Sequence, residues 1–315
     1  MKKFIIRFAL FISPLIAGWI ALLNVDVPKE FAYDYMGDEC EGQGRWLYSR
    51  FYLQDQPADI VFIGASRTMR AVDDSLLQHY FDSTGTHVNI INAGFCRFGR
   101  DLFTLIAEDA LASQGHVRTL VFEVNEYEGS GNHPVYWSLA STSDLVYPES
   151  FVNQSYFSNI WSGSLLRIDY LSSTCFDPKE SSAPSGKYFG CLHTDVVADD
   201  EDMNRAYAHC HDGSQCQPAN AMENLRMIYN KAWISRLASS AQAQNTSLVF
   251  LYLPQYGCTT CPPREAEFYR QFGNVLIPPS SILDNRKNWS DHDHFNNRGS
   301  REMAKWLFSV LNEGQ

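Results

Sequence analysis

The chain has 315 residues, 45% of them apolar, and a formal net charge of −11. Three of its 25 basic residues and none of its 36 acidic ones fall in residues 1–24, so the remainder carries 22 basic against 36 acidic residues, a net of −14. A body that acidic argues against nucleic acid or anionic lipid as a partner, and the length allows one large α/β domain with an insertion or two modest domains.

Lys2, Lys3 and Arg7 edge an apolar stretch from Phe8 to Leu23, which together with Phe4 to Ile6 approaches the ~20 residues that span a bilayer. It reads as a membrane helix or a signal peptide. Ala17-Gly18-Trp19-Ile20-Ala21 offers no clear small-x-small cleavage site and the stretch exceeds a usual signal-peptide core, so residues 1–24 are read as an uncleaved anchor. Basic residues before the span, with Asp26 and Glu30 after it, put the N-terminus in the cytoplasm and the rest of the chain outside it.

A polar, aromatic connector at 25–57 leads into alternating strand-like and helix-like runs that make up 58–315. Asp59 to Ala65, His87 to Asn92 and Arg118 to Asn125 read as strands, the last nearly continuously apolar, as in a strand covered on both faces. Leu102, Leu105, Ile106 and Ala110 fall at helical spacing between the second and third. The β-α-β-α-β order predicts a parallel sheet with right-handed crossovers. Periodicity fades across 128–218, a stretch rich in Ser, Tyr, Asp and Cys. So long a structureless loop is unusual in a compact domain, so it is read as a disulfide-stapled insertion. A helix with Leu225, Ile228, Tyr229 and Ala232 on one face follows, then a strand over Leu248 to Leu253. Met303, Trp306, Leu307, Val310 and Leu311 mark a closing amphipathic helix that begins just after Asn296.

The eight cysteines are Cys40, Cys96, Cys175, Cys191, Cys210, Cys216, Cys258 and Cys261, an even set that in an exported domain points to disulfides of undetermined pairing. Cys258-Thr259-Thr260-Cys261 has the spacing of half a zinc site, but no second C-x-x-C answers it, and a structural disulfide is the better reading. Cys210, His211, Cys216 and His193 are likewise read as bridges and surface residues, with no metal and no cofactor expected.

Two segments carry chemistry. Ile60-Val61-Phe62-Ile63-Gly64-Ala65-Ser66-Arg67 is an apolar strand ending in a small-small-Ser turn, which lifts a hydroxyl to the carboxyl end of the strand. Asp291-His292-Asp293-His294-Phe295-Asn296, just before the closing helix, contains a D-x-x-H able to supply a base and the carboxylate that orients it. His294 is preferred to His292, because it stands three residues after Asp291 and directly at the helix entry. Asn92-Ala93-Gly94 and Asn125-Glu126 end the second and third strands at the same sheet edge, where the Gly94 N–H and the Asn125 amide could join the Ser66 N–H in an oxyanion hole. Arg67, beside the serine, is a candidate substrate contact.

This pattern resembles the SGNH (GDSL-type) hydrolase superfamily, with its Ser, Gly and Asn blocks after strands one to three and its C-terminal D-x-x-H. The matching positions are Ser66, Gly94, Asn125, and Asp291 with His294, spread over residues 59–310 and leaving the insertion outside the match. Two positions depart from the pattern: Ala65 replaces the Asp of the G-D-S block, and Glu123 stands where the third block usually has Gly. With its anchor, the Gly64-Ala65-Ser66-Arg67 form and the His294-Phe295-Asn296-x-x-Gly299 ending, the chain is similar to membrane-anchored SGNH-like proteins of cell-envelope modification, of the D-alanyl transfer and alginate O-acetylation type.

The resemblance implies a three-layer α/β/α, flavodoxin-like domain held at the bacterial inner membrane with its catalytic part in the periplasm. It implies transfer of an O-acyl group, through an acyl-Ser66, to an envelope glycan, in partnership with a multispanning membrane acyltransferase. A carbohydrate esterase and a catalytically silent glycan-binding subunit are the alternatives.

Overall fold

The computed structural model describes the chain apart from residues 37–39, 41, 126–131, 147–152, 177–188, 211–220, 259–262 and 313–315. The readings made for Cys216, Cys261 and His211, and for Glu126, lie outside the described residues. Helix α1 (Lys2–Leu23) is followed by α2 (Lys29–Tyr35) and α3 (Gln43–Tyr48), the latter running into a π-helical turn at Ser49–Leu53. The alternation then begins with β1 (Ile60–Ile63), α4 (Ser66–Ala71), α5 (Asp74–Ser83), β2 (Ile90–Asn92), α6 (Arg100–Ser113) and β3 (Thr119–Val124). The inserted stretch holds α7 (Tyr136–Leu139), α8 (Thr142–Leu145), α9 (Tyr156–Phe176) and α10 (Asp200–Cys210). The chain closes with α11 (Ala221–Ala243), β4 (Ser247–Tyr252), α12 (Ala266–Tyr269), β5 (Asn274–Leu276), α13 (Ser280–Leu283) and α14 (Asn297–Asn312).

The five strands form one sheet in the order β2-β1-β3-β4-β5, and every neighbouring pair is parallel. This is the flavodoxin-like order, in which ligands bind outside the carboxyl ends of the strands beside the switch point at β1. Continuous apolar strands are what such a sheet needs, because both faces are covered. Val61, Ile63, Leu120 and Phe122 pack on one side with Leu102 and Ile106 of α6 and Trp233 and Leu237 of α11. Ile60, Phe62, Val121 and Leu251 pack on the other with Leu77 and Phe81 of α5 and Met303 and Leu307 of α14. Each such fully buried side chain contributes about 1.5–3 kcal/mol.

The connector is part of this body rather than a tether. Tyr33, Trp46, Leu47 and Phe51 are buried in the α6 side of the core, and Cys40 is bridged to Cys96, just past β2. The other described bridge, Cys210–Cys258, ties α10 to the segment after β4, so the insertion is stapled outward to the core and Cys258 pairs with Cys210. Cys175 is an exposed thiol. On α11 the buried line is Tyr229, Trp233, Leu237 and Ala241, whereas Leu225 and Ile228, expected on the packed face, are about half exposed. Among the described strands, edge strand β5 is the one the sequence did not predict.

Candidate active site

Strand β1 ends at Ile63 and the chain turns through Gly64 and Ala65 into α4, whose first residue is Ser66. A glycine is required at 64, because a Cβ there would lie 2.4 Å from both the Cβ and Oε2 of Glu123. That glutamate, on β3 and 2% exposed, braces the turn. Its Oε2 accepts from the Ala65 N–H at 2.7 Å, the Thr68 N–H at 3.2 Å and the Thr68 hydroxyl at 2.6 Å. Burial pushes its carboxyl above the ordinary range, against the Thr68 hydrogen bond and the nearby Arg67 charge.

The histidine arrives from the other end of the chain. Asn296 caps α14, its Oδ1 accepting from the Arg298 and Gly299 N–H groups at 3.0 and 3.1 Å. Its Nδ2 donates back to the carbonyls of Lys287 and Trp289. Trp289 and Phe295 form an antiparallel bridge and stack with ring centres 4.2 Å apart, pinching residues 290–294 into a tight loop. Within it Asp291 Oδ1 accepts from the Asp293 and His294 N–H groups at 2.7 and 2.9 Å, a local turn that fixes the carboxylate beside the imidazole.

These two segments meet. Ser66 Oγ lies 2.8 Å from His294 Nε2, and His294 Nδ1 lies 2.9 and 3.0 Å from the two carboxylate oxygens of Asp291. With Nδ1–H donated to Asp291, Nε2 is the acceptor for the Ser66 hydroxyl. Burial raises the Asp291 carboxyl, but the hydrogen bond and charge of His294, with the two loop N–H groups, outweigh it and bring it to about 2. The carboxylate therefore stays ionised throughout the physiological range.

His292 points elsewhere. Its Nδ1 is 3.0 Å from Asp202 on α10 and its Nε2 is 3.4 Å from Asp293. Arg67, expected as a substrate contact, is 3% exposed: one turn of helix directs it inward. There it donates to the Leu253 carbonyl at 2.9 Å and to Asp293 at 2.5 Å, with its guanidinium 5.1 Å from the Phe98 ring centre. It clamps α4 to the loop at 290–294.

Asn125 and Gly94, the positions expected to complete an oxyanion hole, follow the carboxyl ends of β3 and β2. Asn125 is buried directly after β3. The Gly94 N–H donates to Asn92 Oδ1 at 3.1 Å, and the Gly94 carbonyl accepts from Gln43 at 3.1 Å. Asn92 in turn donates to the Thr68 and Val72 carbonyls at 2.9 and 2.7 Å, holding the far end of α4. Sequence reading missed Glu123, Asn92 and Asp293 as bracing groups. A charged residue inside the otherwise apolar β3 was the available signal for the first.

Among the described residues one set of potential metal ligands, Asp73, Cys191 and His193, lies within 4.8 Å of one another. Asp73 caps α5 through the Leu76 N–H at 2.9 Å and His193 Nδ1 lies 3.2 Å from Asn297 Oδ1, so both already serve packing. No family model matches the chain, and no curated protein matches its sequence.

Proposed function

We propose that this protein is an extracytoplasmic serine acyltransferase that moves an O-acyl group onto a hydroxylated envelope glycan through an acyl-Ser66. The observation that carries the proposal is the continuous relay from Ser66 Oγ through His294 to Asp291, at 2.8 and 2.9 Å. In the first step Ser66 Oγ bonds to the acyl carbonyl carbon and its proton passes to His294 Nε2. Collapse of the tetrahedral species expels the donor oxygen, which takes that proton. An acceptor hydroxyl then attacks the acyl carbon, gives its proton to His294, and leaves with the acyl group as Ser66 Oγ is reprotonated.

Asp291 holds the imidazole in the required tautomer and offsets its charge. The Ser66 N–H, in the first turn of α4, and the Asn125 amide are the oxyanion donors this reading requires. The Gly94 N–H, engaged by Asn92, joins them only if that bond is shared.

Two features support placement outside the cytoplasm on an uncleaved anchor. The Cys40–Cys96 and Cys210–Cys258 bridges belong to an oxidising compartment. The end of α1 is built into the domain: Arg167 Nε donates 3.0 Å to the Leu23 carbonyl, Thr142 also donates to that carbonyl, and Trp19 donates 2.8 Å to Ser164. Transfer rather than hydrolysis, the glycan acceptor and a multispanning acyltransferase as acyl donor rest on the family resemblance. A serine-directed fluorophosphonate tests the reading: it should label the wild type and leave Ser66→Ala unlabelled while the variant keeps its fold. Equal labelling of both would overturn it, and an unlabelled wild type would favour the silent binding subunit.

A further inference from the structure

The insertion carries a long helix, α9, that the acyl-transfer reading does not use. Its inner face is buried against the domain through Asn159, Ile160, Gly163, Leu166 and Arg167. Its outer face exposes Phe157 (82%), Trp161 (63%), Leu165 (45%), Ile168 (50%) and Leu171 (42%). At about 100° per residue these five fall on one side of the helix, a continuous apolar stripe. Arg167 is the one charged residue between 156 and 168, and it is buried; Ser158 and Ser162 flank the stripe, and a charge next appears at Asp169.

The stripe has a fixed register against α1. Trp19 donates to Ser164, Arg167 donates to the Leu23 carbonyl, and further along Phe31 meets Tyr170 edge-on with ring centres 5.4 Å apart. The two helices therefore run in the same direction, and α9 residues before Ser164 lie at the level of α1 residues before Trp19. At about 1.5 Å per residue, Phe157 sits about 10 Å below Ser164 along the axis, alongside the middle of the span. An 18-residue window of α1 has a mean hydropathy of 2.0, and no residue of the helix before Leu23 is buried.

We infer that the N-terminal half of α9 dips into the extracytoplasmic leaflet beside α1, with acyl chains covering Phe157, Trp161 and Leu165. The inference rests on α1 being a membrane span. The occupant is lipid, because the register puts the stripe at the depth where α1 is itself surrounded by acyl chains. Running alongside α1 rather than lying in the interface plane, α9 enters the leaflet by its N-terminal end, with Leu165 nearest the interface and Trp161 and Phe157 deeper beside α1. Since Arg167, Thr142 and Ser164 also hold α1, the two helices fix the orientation of the domain, and the Ser66 edge of the sheet keeps one height above the bilayer.

The test uses the full chain in phosphatidylcholine vesicles, in a Cys175→Ser background whose residual labelling is subtracted. A nitroxide is attached to Phe157→Cys, Trp161→Cys, Leu10→Cys or Thr174→Cys, and its relaxation by dissolved oxygen is compared with that by a water-soluble nickel chelate. Positions 157 and 161 should resemble position 10, with an oxygen-to-chelate ratio about tenfold above that at the exposed position 174. Chelate access at 157 and 161 with lipid shielding at 10 would overturn the inference and leave the anchor standing. Shielding of 157 and 161 from both reagents would replace lipid by a second copy of the chain. Chelate access at position 10 would remove the anchor reading, and this inference with it.

Discussion

Replacing Glu123 tests whether the serine turn is held by one buried carboxylate. Oε2 takes three donors, two of them at 2.6 and 2.7 Å, and Glu123→Ala leaves the Ala65 N–H and Thr68 N–H buried with no acceptor in reach. Each stranded donor costs about 1–3 kcal/mol, part of which is offset because a desolvated acid is also removed. The expected net loss is about 2–4 kcal/mol, a large share of a typical folding stability. Relaxation of the turn also moves Ser66 Oγ away from His294, and a shift of about 1 Å lowers reactivity on the order of 10²-fold.

Glu123→Gln keeps an acceptor oxygen in place and should retain most of both quantities. Its stability should also depend differently on pH. The Glu123 carboxyl is raised above 4.5 in the folded state, so the folded protein holds this proton more tightly than the unfolded chain. The wild type gives up that advantage as pH climbs from about 4.5 toward the folded-state value. The Gln variant, which cannot ionise, should gain relative to wild type over that interval. Chemical denaturation from pH 4 upward and phosphonate labelling rates read both effects. Glu123→Ala with wild-type stability and labelling rate would refute the bracing role.

His294→Ala should abolish Ser66 labelling, Asp291→Asn should leave a residual about 10⁴-fold below wild type, and His292→Ala should change the rate less than tenfold. A His292→Ala variant as damaged as His294→Ala would reverse the assignment. The Asp291 carboxyl is depressed to about 2, so its stabilising contribution is present above its ordinary value of about 4 and is lost as pH falls through about 2. The stability gap between wild type and Asp291→Asn should close over that interval by about 1 kcal/mol, discounted for the exposure of this carboxylate; a gap independent of pH would contradict the pairing. Replacing Cys40 and Cys96 together by serine opens a loop of 56 residues and should cost about 2–4 kcal/mol by denaturation. No loss would mean that the bridge adds little.

Strands β1 to β4 were legible because each is a nearly unbroken apolar run buried in the sheet, and α14 because Met303, Leu307 and their neighbours keep one face. Strand β5 was not, being three half-exposed residues at an edge. Helix α9 hid for a different reason: Ile160 and Leu166 face inward while Phe157, Trp161 and Ile168 face outward, so apolar residues surround the helix and periodicity vanishes. Residues 25–57 read as a connector because their buried groups are aromatic and mixed with polar ones. At the site, the spacing of Asp291 and His294 expresses a local turn and was readable. The inward direction of Arg67 depends on the Leu253 and Asp293 segments meeting at α4, and the reach of Glu123 across to the Ser66 turn on strands β1 and β3 lying side by side, which no local spacing records.

The central claim is an acyl group on Ser66. Brief exposure of the wild type to a chromogenic acetyl ester, followed by acid quenching and mass mapping of peptides, measures it directly. The account predicts acetyl on the peptide containing Ser66, absent in Ser66→Ala and in His294→Ala. An acetyl group found elsewhere while Ser66 stays unmodified, or Ser66→Ala releasing chromophore at the wild-type rate, would contradict it.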